Sequence, residues 1–224
     1  MKAMVLAAGL GTRLRPLTNT RPKALVELRG RTLLEITLTR LKSFGIHDVI
    51  VNVHHFADMV IDYLRSNDNF GMHIEISRED VLLDTGGGLK KASWFFGTNP
   101  DEPFVLHNVD ILTTIDLNRM VDFHLQHRPL ATLAMQQRKT SRYLLFDDAG
   151  RLRGKSPTPD PAFQSLGFAG IHVISPRLLS MMPAEDIFSI ITCYLDLAAR
   201  GEFIAAFRAD PYEWKDLGRP ENLM

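Results

Sequence analysis

Residues 3–7, AMVLA, form an apolar run too short for a helix, and Gly9 ends it. Such a run reads as a buried central strand. Residues 32–44 come next, with Leu33, Leu34, Ile36, Leu38, Leu41 and Phe44 at broadly helical spacing and Gly45 as the stop. Residues 48–53, DVIVNV, make the next strand, 57–65 a second helix and 72–77 a third strand. This order of strand, helix, strand, helix, strand implies an α/β fold with a parallel sheet and helices on its faces.

The pattern continues along the chain. A second Gly-rich turn at 85–88 precedes a helix over 89–96, and 103–107, PFVLH, reads as another central strand ending at Asn108-Val109-Asp110. Further strands are expected at 129–136, 142–147, 167–174 and 203–209, with a turn at 148–151 and a helix over 187–201. The Pro-rich stretch 155–161 reads as a surface loop. No repeat, low-complexity tract or linker interrupts the 224 residues, a length suited to one large domain, and 1–224 is read as a single domain.

Charge narrows the choice of partners. Lys+Arg and Asp+Glu balance at 26 each, so no long-range field collects nucleic acid, and any phosphate ligand must be held by a local site. The single cysteine, Cys193, excludes an intramolecular disulfide and sits among apolar residues at helical spacing, as a buried structural thiol does. The N-terminus lacks the plan of a signal peptide and no apolar run approaches membrane-spanning length, so a cytoplasmic protein with no membrane partner is expected. The eight histidines show no zinc spacing, and none is given a chemical role.

Gly9-Leu10-Gly11-Thr12-Arg13 opens the long connection between the first strand and the first helix. Glycines let backbone N–H groups converge on a phosphate, and arginine adds planar donors. A tight turn with a solvated arginine would use the same residues. Leu14 stands where the dinucleotide fingerprint needs a third glycine, and no Gly-Lys-Ser/Thr comes after it, so this is neither that fingerprint nor a Walker loop. Arg13, Arg15, Arg21 and Lys23 put four cations into one connection that Pro16 and Pro22 keep stiff and non-helical. At the C-terminal edge of a strand in an open α/β sheet, that combination favours polyphosphate binding. Asp110, directly after the strand PFVLH, could ligate a metal or could cap the next segment, and the residues alone leave both open.

The stretch from Ala8 to Lys23 resembles, at every position, the signature Ala-Gly-x-Gly-Thr-Arg-x-x-Pro-x-Thr-x-x-x-Pro-Lys of the sugar-1-phosphate nucleotidyltransferases. The resemblance implies a Rossmann-like three-layer sandwich with a mostly parallel central sheet, the nucleotide-diphospho-sugar transferase fold. It implies that Ala8, Gly9, Gly11 and Thr12 approach the nucleotide, that Arg13 grips the leaving pyrophosphate, and that Lys23 stabilises the attacked α-phosphate. Trp214, Asp216, Gly218 and Glu221 resemble the family's late Trp-x-Asp-x-Gly-Thr-x-Glu element, with Arg219 in place of Thr. By that resemblance Asp110 and Asp216 hold Mg²⁺, and Arg13, Lys23 and Asp110 are catalytic. Val109 stands where the family usually has glycine.

Thr85 and Gly88 fall in a segment similar to the family loop that runs past the base. The form Asp84-Thr85-Gly86-Gly87-Gly88 in so short a chain resembles the N-acetylmuramate-1-phosphate uridylyltransferase branch, and mannose-1-phosphate guanylyltransferases share most of the pattern. On the sugar side, Arg142 replaces the family's glycine, Lys155 keeps its lysine without the preceding glutamate, and Gly170 lies in a segment similar to the strand beneath the sugar. Arg142 would suit an acidic sugar. The partners implied are UTP or GTP and a sugar 1-phosphate, in a monomer or homodimer. A non-catalytic nucleotide sensor on the same fold is the competing expectation. The sequence stops soon after Asp216, so the β-helix and acetyltransferase activity of longer relatives are not expected.

Overall fold

A computed structural model of the chain describes residues 1–97, 99 and 102–223. Its first half contains β1 (Lys2–Leu6), β2 (Glu27–Leu28), β3 (Arg31–Thr32), α1 (Leu33–Ser43), β4 (Asp48–Val53), α2 (Ala57–Ser66), β5 (His73–Arg78), α3 (Asp84–Lys91) and β6 (Phe104–Asn108). The second half contains β7 (Ile111–Thr113), α4 (Leu117–His127), β8 (Ala131–Gln136), β9 (Tyr143–Phe146), β10 (Leu152–Ser156), β11 (Gln164–Ile174), α5 (Ile190–Ala199), β12 (Ile204–Arg208) and β13 (Trp214–Asp216).

A nine-stranded sheet runs in the order β10-β9-β11-β6-β1-β4-β5, with β8 paired to β11 and β12. Its centre is parallel: β1 pairs β4 and β6, and β4 pairs β5, all in parallel. The long β11 runs antiparallel to β6, β8 and β9 and joins this parallel half to the strands β8, β9, β10 and β12. Alternation along the strands feeds two cores. Ala3 and Val5 of β1 pack with α1, α2 and α4, while Met4 faces the layer of α3 and α5. The expected α/β architecture is therefore present as helix, sheet and helix layers. No described helix is long and apolar enough to cross a membrane.

Local chemistry sets the element ends. Thr32 caps α1 by accepting from Glu35 N at 3.0 Å, and Gly45, with φ of +75°, closes it. Three expectations are corrected and one helix was unforeseen. Residues 86–88 lie inside α3, which begins at Asp84, where a turn before a helix at 89 was expected. Residues 152–156 form β10, so Lys155 sits on a strand rather than at the start of a surface loop. Helix α5 begins at Ile190, not at 187. Helix α4, capped by the Asp116 side chain accepting from Arg119 N, was not expected; Leu117, Met120 and His124 carry its buried stripe, and that stripe includes a histidine. The two-stranded pairing of β7 with β13 was not expected either, and it positions the site.

Candidate active site

The connection after β1 is a series of tight turns, Thr12–Leu14, Leu17–Asn19 and Lys23–Leu25. Gly11 sits at φ +63°, and a Cβ there would lie 2.8 Å from Thr18 Cγ2, so both backbone conformation and space demand glycine. The buried Thr18 hydroxyl donates to Gly11 O at 2.8 Å, and the buried Leu14 anchors the same turn. Arg13 is thereby left exposed between two pinned neighbours. At Gly9 the space a Cβ would fill is open. Ala7 N donates to Asn52 Oδ1 at 2.7 Å, which ties the start of the loop to β4.

Asp110 lies two residues after the end of β6. Strand β13 runs antiparallel to β7, with Asp216 opposite Ile111, and Leu217 N donates to Asp110 O at 2.8 Å. This pairing carries Asp216 to Asp110. Asp216 Oδ1 accepts from Gly218 N at 2.8 Å. A Cβ on Gly218 would lie 2.8 Å from Asp110 Oδ2, 2.8 Å from Asp216 Oδ1 and 2.7 Å from Arg13 Nη2. The two carboxylate oxygens therefore face one point and are at most twice that distance apart. Lys23 Nζ is paired with Asp110 Oδ2, and Arg13 Nη1 lies 3.3 Å from Asp216 Oδ2. Each acid thus holds one of the two cations expected to meet phosphate.

No group of three or more His, Cys, Asp or Glu side chains is arranged to hold a metal among the described residues. The two opposed aspartates nevertheless fit Mg²⁺, which takes hard oxygens and is commonly held by one or two carboxylates with water and substrate phosphate completing the shell. The absence of a side chain at Gly218 keeps the gap between them clear.

A cleft of about 780 Å³ opens beside these acids, and Arg13, Asp110, Arg142, Lys155, Gly170 and Asp216 all line it. Gly170 has φ of +79°, and a Cβ there would meet Ile111 Cγ1 at 2.7 Å. Trp214 donates from Nε1 to Ala169 O at 2.8 Å and forms part of the cleft wall. Sequence reasoning missed Arg138, Lys139 and Arg219, which also line the cleft. The abrupt change from the apolar β8 to Gln137-Arg138-Lys139 at a strand end was the available signal. Ala8, Gly9, Gly11, Thr12 and Lys23 lie on the β1 side, outside the lining of this cleft.

The second glycine segment is built for packing. The N–H groups of Gly86 and Gly87 both donate to Phe188 O, at 2.9 and 3.2 Å. A Cβ on Gly86 would overlap the Phe188 ring, and one on Gly87 would overlap Asp186 O. Gly88 is buried, and a Cβ there would lie 2.8 Å from both Asn52 Nδ2 and Glu79 Oε1. Thr85 Oγ1 accepts from Ile190 N at 3.0 Å and ties α3 to α5. Glycine is thus required here by contact with residues 186–188 and with β4, and Thr85 and Gly88 do not line the cleft. The buried Glu79, also missed, accepts from Asn52 Nδ2 at 2.7 Å and from Leu83 N at 3.1 Å.

The remaining ionisable core groups have no exposed chemistry. Burial lowers His107 and His172 to about 3, and pushes the Cys193 thiol up to about 11.

A parallel sheet edge, a pinned cationic loop and two opposed aspartates define a class of phosphate-handling α/β protein, and likeness to known proteins specifies it. The family model described as nucleotidyl transferase matches residues 2–154. The chain belongs to this sugar-1-phosphate nucleotidyltransferase family. It is 34% identical to N-acetylmuramate alpha-1-phosphate uridylyltransferase of Caulobacter vibrioides, over 98% of this chain and 92% of that protein. It is 31% identical to UTP--glucose-1-phosphate uridylyltransferase of Synechocystis, over 98% of this chain but 60% of that protein, so it spans less than two thirds of that relative. Among solved structures, HddC from Yersinia pseudotuberculosis superposes with a TM-score of 0.80 at 22% identity, covering 99% of this chain and 95% of that one. At that identity the likeness is one of fold.

Proposed function

We propose that this chain is a Mg²⁺-dependent enzyme that transfers the uridylyl group of UTP to N-acetylmuramate 1-phosphate and releases pyrophosphate. The observation that carries the reaction class is the convergence of Asp110, Asp216 and Arg13 on the point beside Gly218, with Lys23 on Asp110. An oxygen of the sugar phosphate attacks the α-phosphorus of UTP, the bond to the β-phosphate oxygen breaks, and pyrophosphate leaves with that electron pair. No protein nucleophile is required, because the attacking phosphate is already an anion. Lys23 meets charge on the α-phosphate, and Arg13 holds the departing pyrophosphate. Asp110 and Asp216 would hold the metal, which when bound supplies Lewis-acid neutralisation of phosphate charge. A nucleotide sensor would need no such pair of acids beside the phosphate cations.

The substrate reading rests on two supports. The Caulobacter relative is matched over nearly its whole length. The cleft beside the acids carries Arg142 and Lys155, cations suited to an acidic sugar phosphate. UTP is a cytoplasmic nucleotide, and the product would feed cell-wall synthesis from that compartment. The test is pyrophosphate release with Mg²⁺, across ATP, CTP, GTP and UTP and a panel of sugar 1-phosphates. The highest turnover is expected for UTP with N-acetylmuramate 1-phosphate. A preference for GTP with mannose 1-phosphate would overturn the substrate reading and leave the reaction class standing.

A further inference from the structure

Four cations line the sugar side of the cleft without a carboxylate partner: among the described residues, no ion pair involves Arg138, Lys139, Arg142 or Lys155. Lys139, Arg142 and Lys155 are exposed, so water solvates them at little cost. Arg138 differs. It is half-buried, with its guanidinium carbon 4.0 Å from the centre of the Trp214 ring and Nη2 donating to Phe168 O at 2.7 Å. Its Nε is buried with no acceptor at all. Gly167 makes room for it, since a Cβ there would lie 2.9 Å from Arg138 Cγ, Cζ and Nε. Burial also lowers its pKa, opposed by the nearby Asp216.

A guanidinium held by a ring, a carbonyl and a missing Cβ is fixed in one orientation, which is how planar oxyanion sites are built. A partly desolvated cation with no carboxylate in contact is an unfavourable arrangement that an incoming anion relieves. Two anionic groups could come to it, the 1-phosphate or a carboxylate elsewhere on the sugar. The phosphate must reach the point beside Gly218, where Arg13, Asp110 and Asp216 meet. A dianionic phosphate does not need four further cations. Resting on the proposed transferase reading, we infer that Arg138 is a specificity-determining residue that binds a carboxylate substituent of the sugar ring, with Trp214 and Phe168 O holding its guanidinium flat.

The test has two independent arms. In the first, kcat/KM is measured for N-acetylmuramate 1-phosphate and N-acetylglucosamine 1-phosphate with wild type, Arg138→Met, Arg138→Gln and Arg142→Gln. Methionine and glutamine keep cover over Trp214 without the charge. Both Arg138 variants are expected to lower the acidic-to-neutral ratio by about 10- to 100-fold, as loss of a charge-assisted hydrogen bond does. Arg142→Gln should lower it less. Equal losses for both sugars would place Arg138 on the 1-phosphate, and a loss in only one Arg138 variant would mark disturbed packing; either result overturns the proposal. In the second arm, saturation-transfer NMR compares binding of N-acetylmuramate and N-acetylglucosamine, neither carrying a phosphate. Wild type should prefer the carboxylate sugar and Arg138→Met should not. No such preference in wild type, or its retention in Arg138→Met, overturns the inference even if no sugar 1-phosphate is turned over. Failure of all sugar 1-phosphates to release pyrophosphate counts against the transferase reading alone.

Discussion

Asp110 and Asp216 present oxygens to the same point beside Gly218, and each is paired with a cation of the β1 loop. Asp110→Asn and Asp216→Asn are expected to abolish most turnover while the fold survives, because asparagine keeps the acceptor that Gly218 N uses at position 216. Each loses a metal ligand charge, on the order of several kcal/mol of transition-state stabilisation. Pyrophosphate release at saturating Mg²⁺, beside a circular dichroism spectrum, checks it, and a near-normal rate in either variant would remove that residue from the metal site. Lys23→Met separates two effects. Turnover should fall by roughly 10²-fold, as when one oxyanion donor is removed. Mn²⁺ binding without nucleotide should tighten, because the ammonium no longer competes for Asp110. Calorimetry with Mn²⁺ reads the second effect directly, and unchanged affinity would mean that the Lys23–Asp110 pair does not gate the metal.

At the scale of elements, the glycines divide by task. Gly86 and Gly87 lie within α3, where a side chain would strike residues 186–188. Gly87→Ala is expected to destabilise the protein by about 1–3 kcal/mol through overpacking. Gly9→Ala meets open space at an ordinary φ and should change stability by less than about 0.5 kcal/mol. If this loop holds the nucleotide phosphates, as the proposed function has it, the cost of Gly9→Ala should appear instead as a raised KM for the nucleotide. Urea midpoints together with KM values for both variants separate packing from ligand contact. A large stability loss in Gly9→Ala with unchanged KM would reverse the assignment.

For the whole molecule, the sheet separates two cores and buries His107 and His172, both held near pKa 3 by desolvation. In the unfolded chain both return toward 6.5. Between about pH 6.5 and 3 the unfolded state therefore binds protons that the folded state does not, and stability falls as pH falls through that window. Urea midpoints from pH 7 to pH 4.5 should decline, with a shallower slope in His172→Gln, which removes one of three such groups, the third being the buried His124, lowered to about 4. A slope unchanged by that substitution would show that His172 is not a source of the acid sensitivity.

The strand–helix alternation from β1 to β5 was legible because β1 and β4 are apolar on both faces and α1 ends at a local signal, Gly45. The loop after β1 was legible for a related reason: Gly11, Pro16, Pro22 and the four cations act within one connection, so their spacing in sequence is close to their spacing in space. Local composition misled where contact decides. Three successive glycines look like an open turn, yet they sit in a buried helix because residues 186–188 press against it. Arg138 looks like any polar residue after a strand, and only Trp214 and Gly167, far along the chain, make it a fixed and partly desolvated charge. By itself the sequence determined the parallel α/β frame and the stiff cationic loop after β1, since those depend on hydrophobic period and on neighbouring residues. The resemblance had already paired Asp110 with Asp216; the tertiary structure alone decided how they are brought together and which arginine is confined, because β13 reaches β7 through long-range pairing that no local pattern encodes.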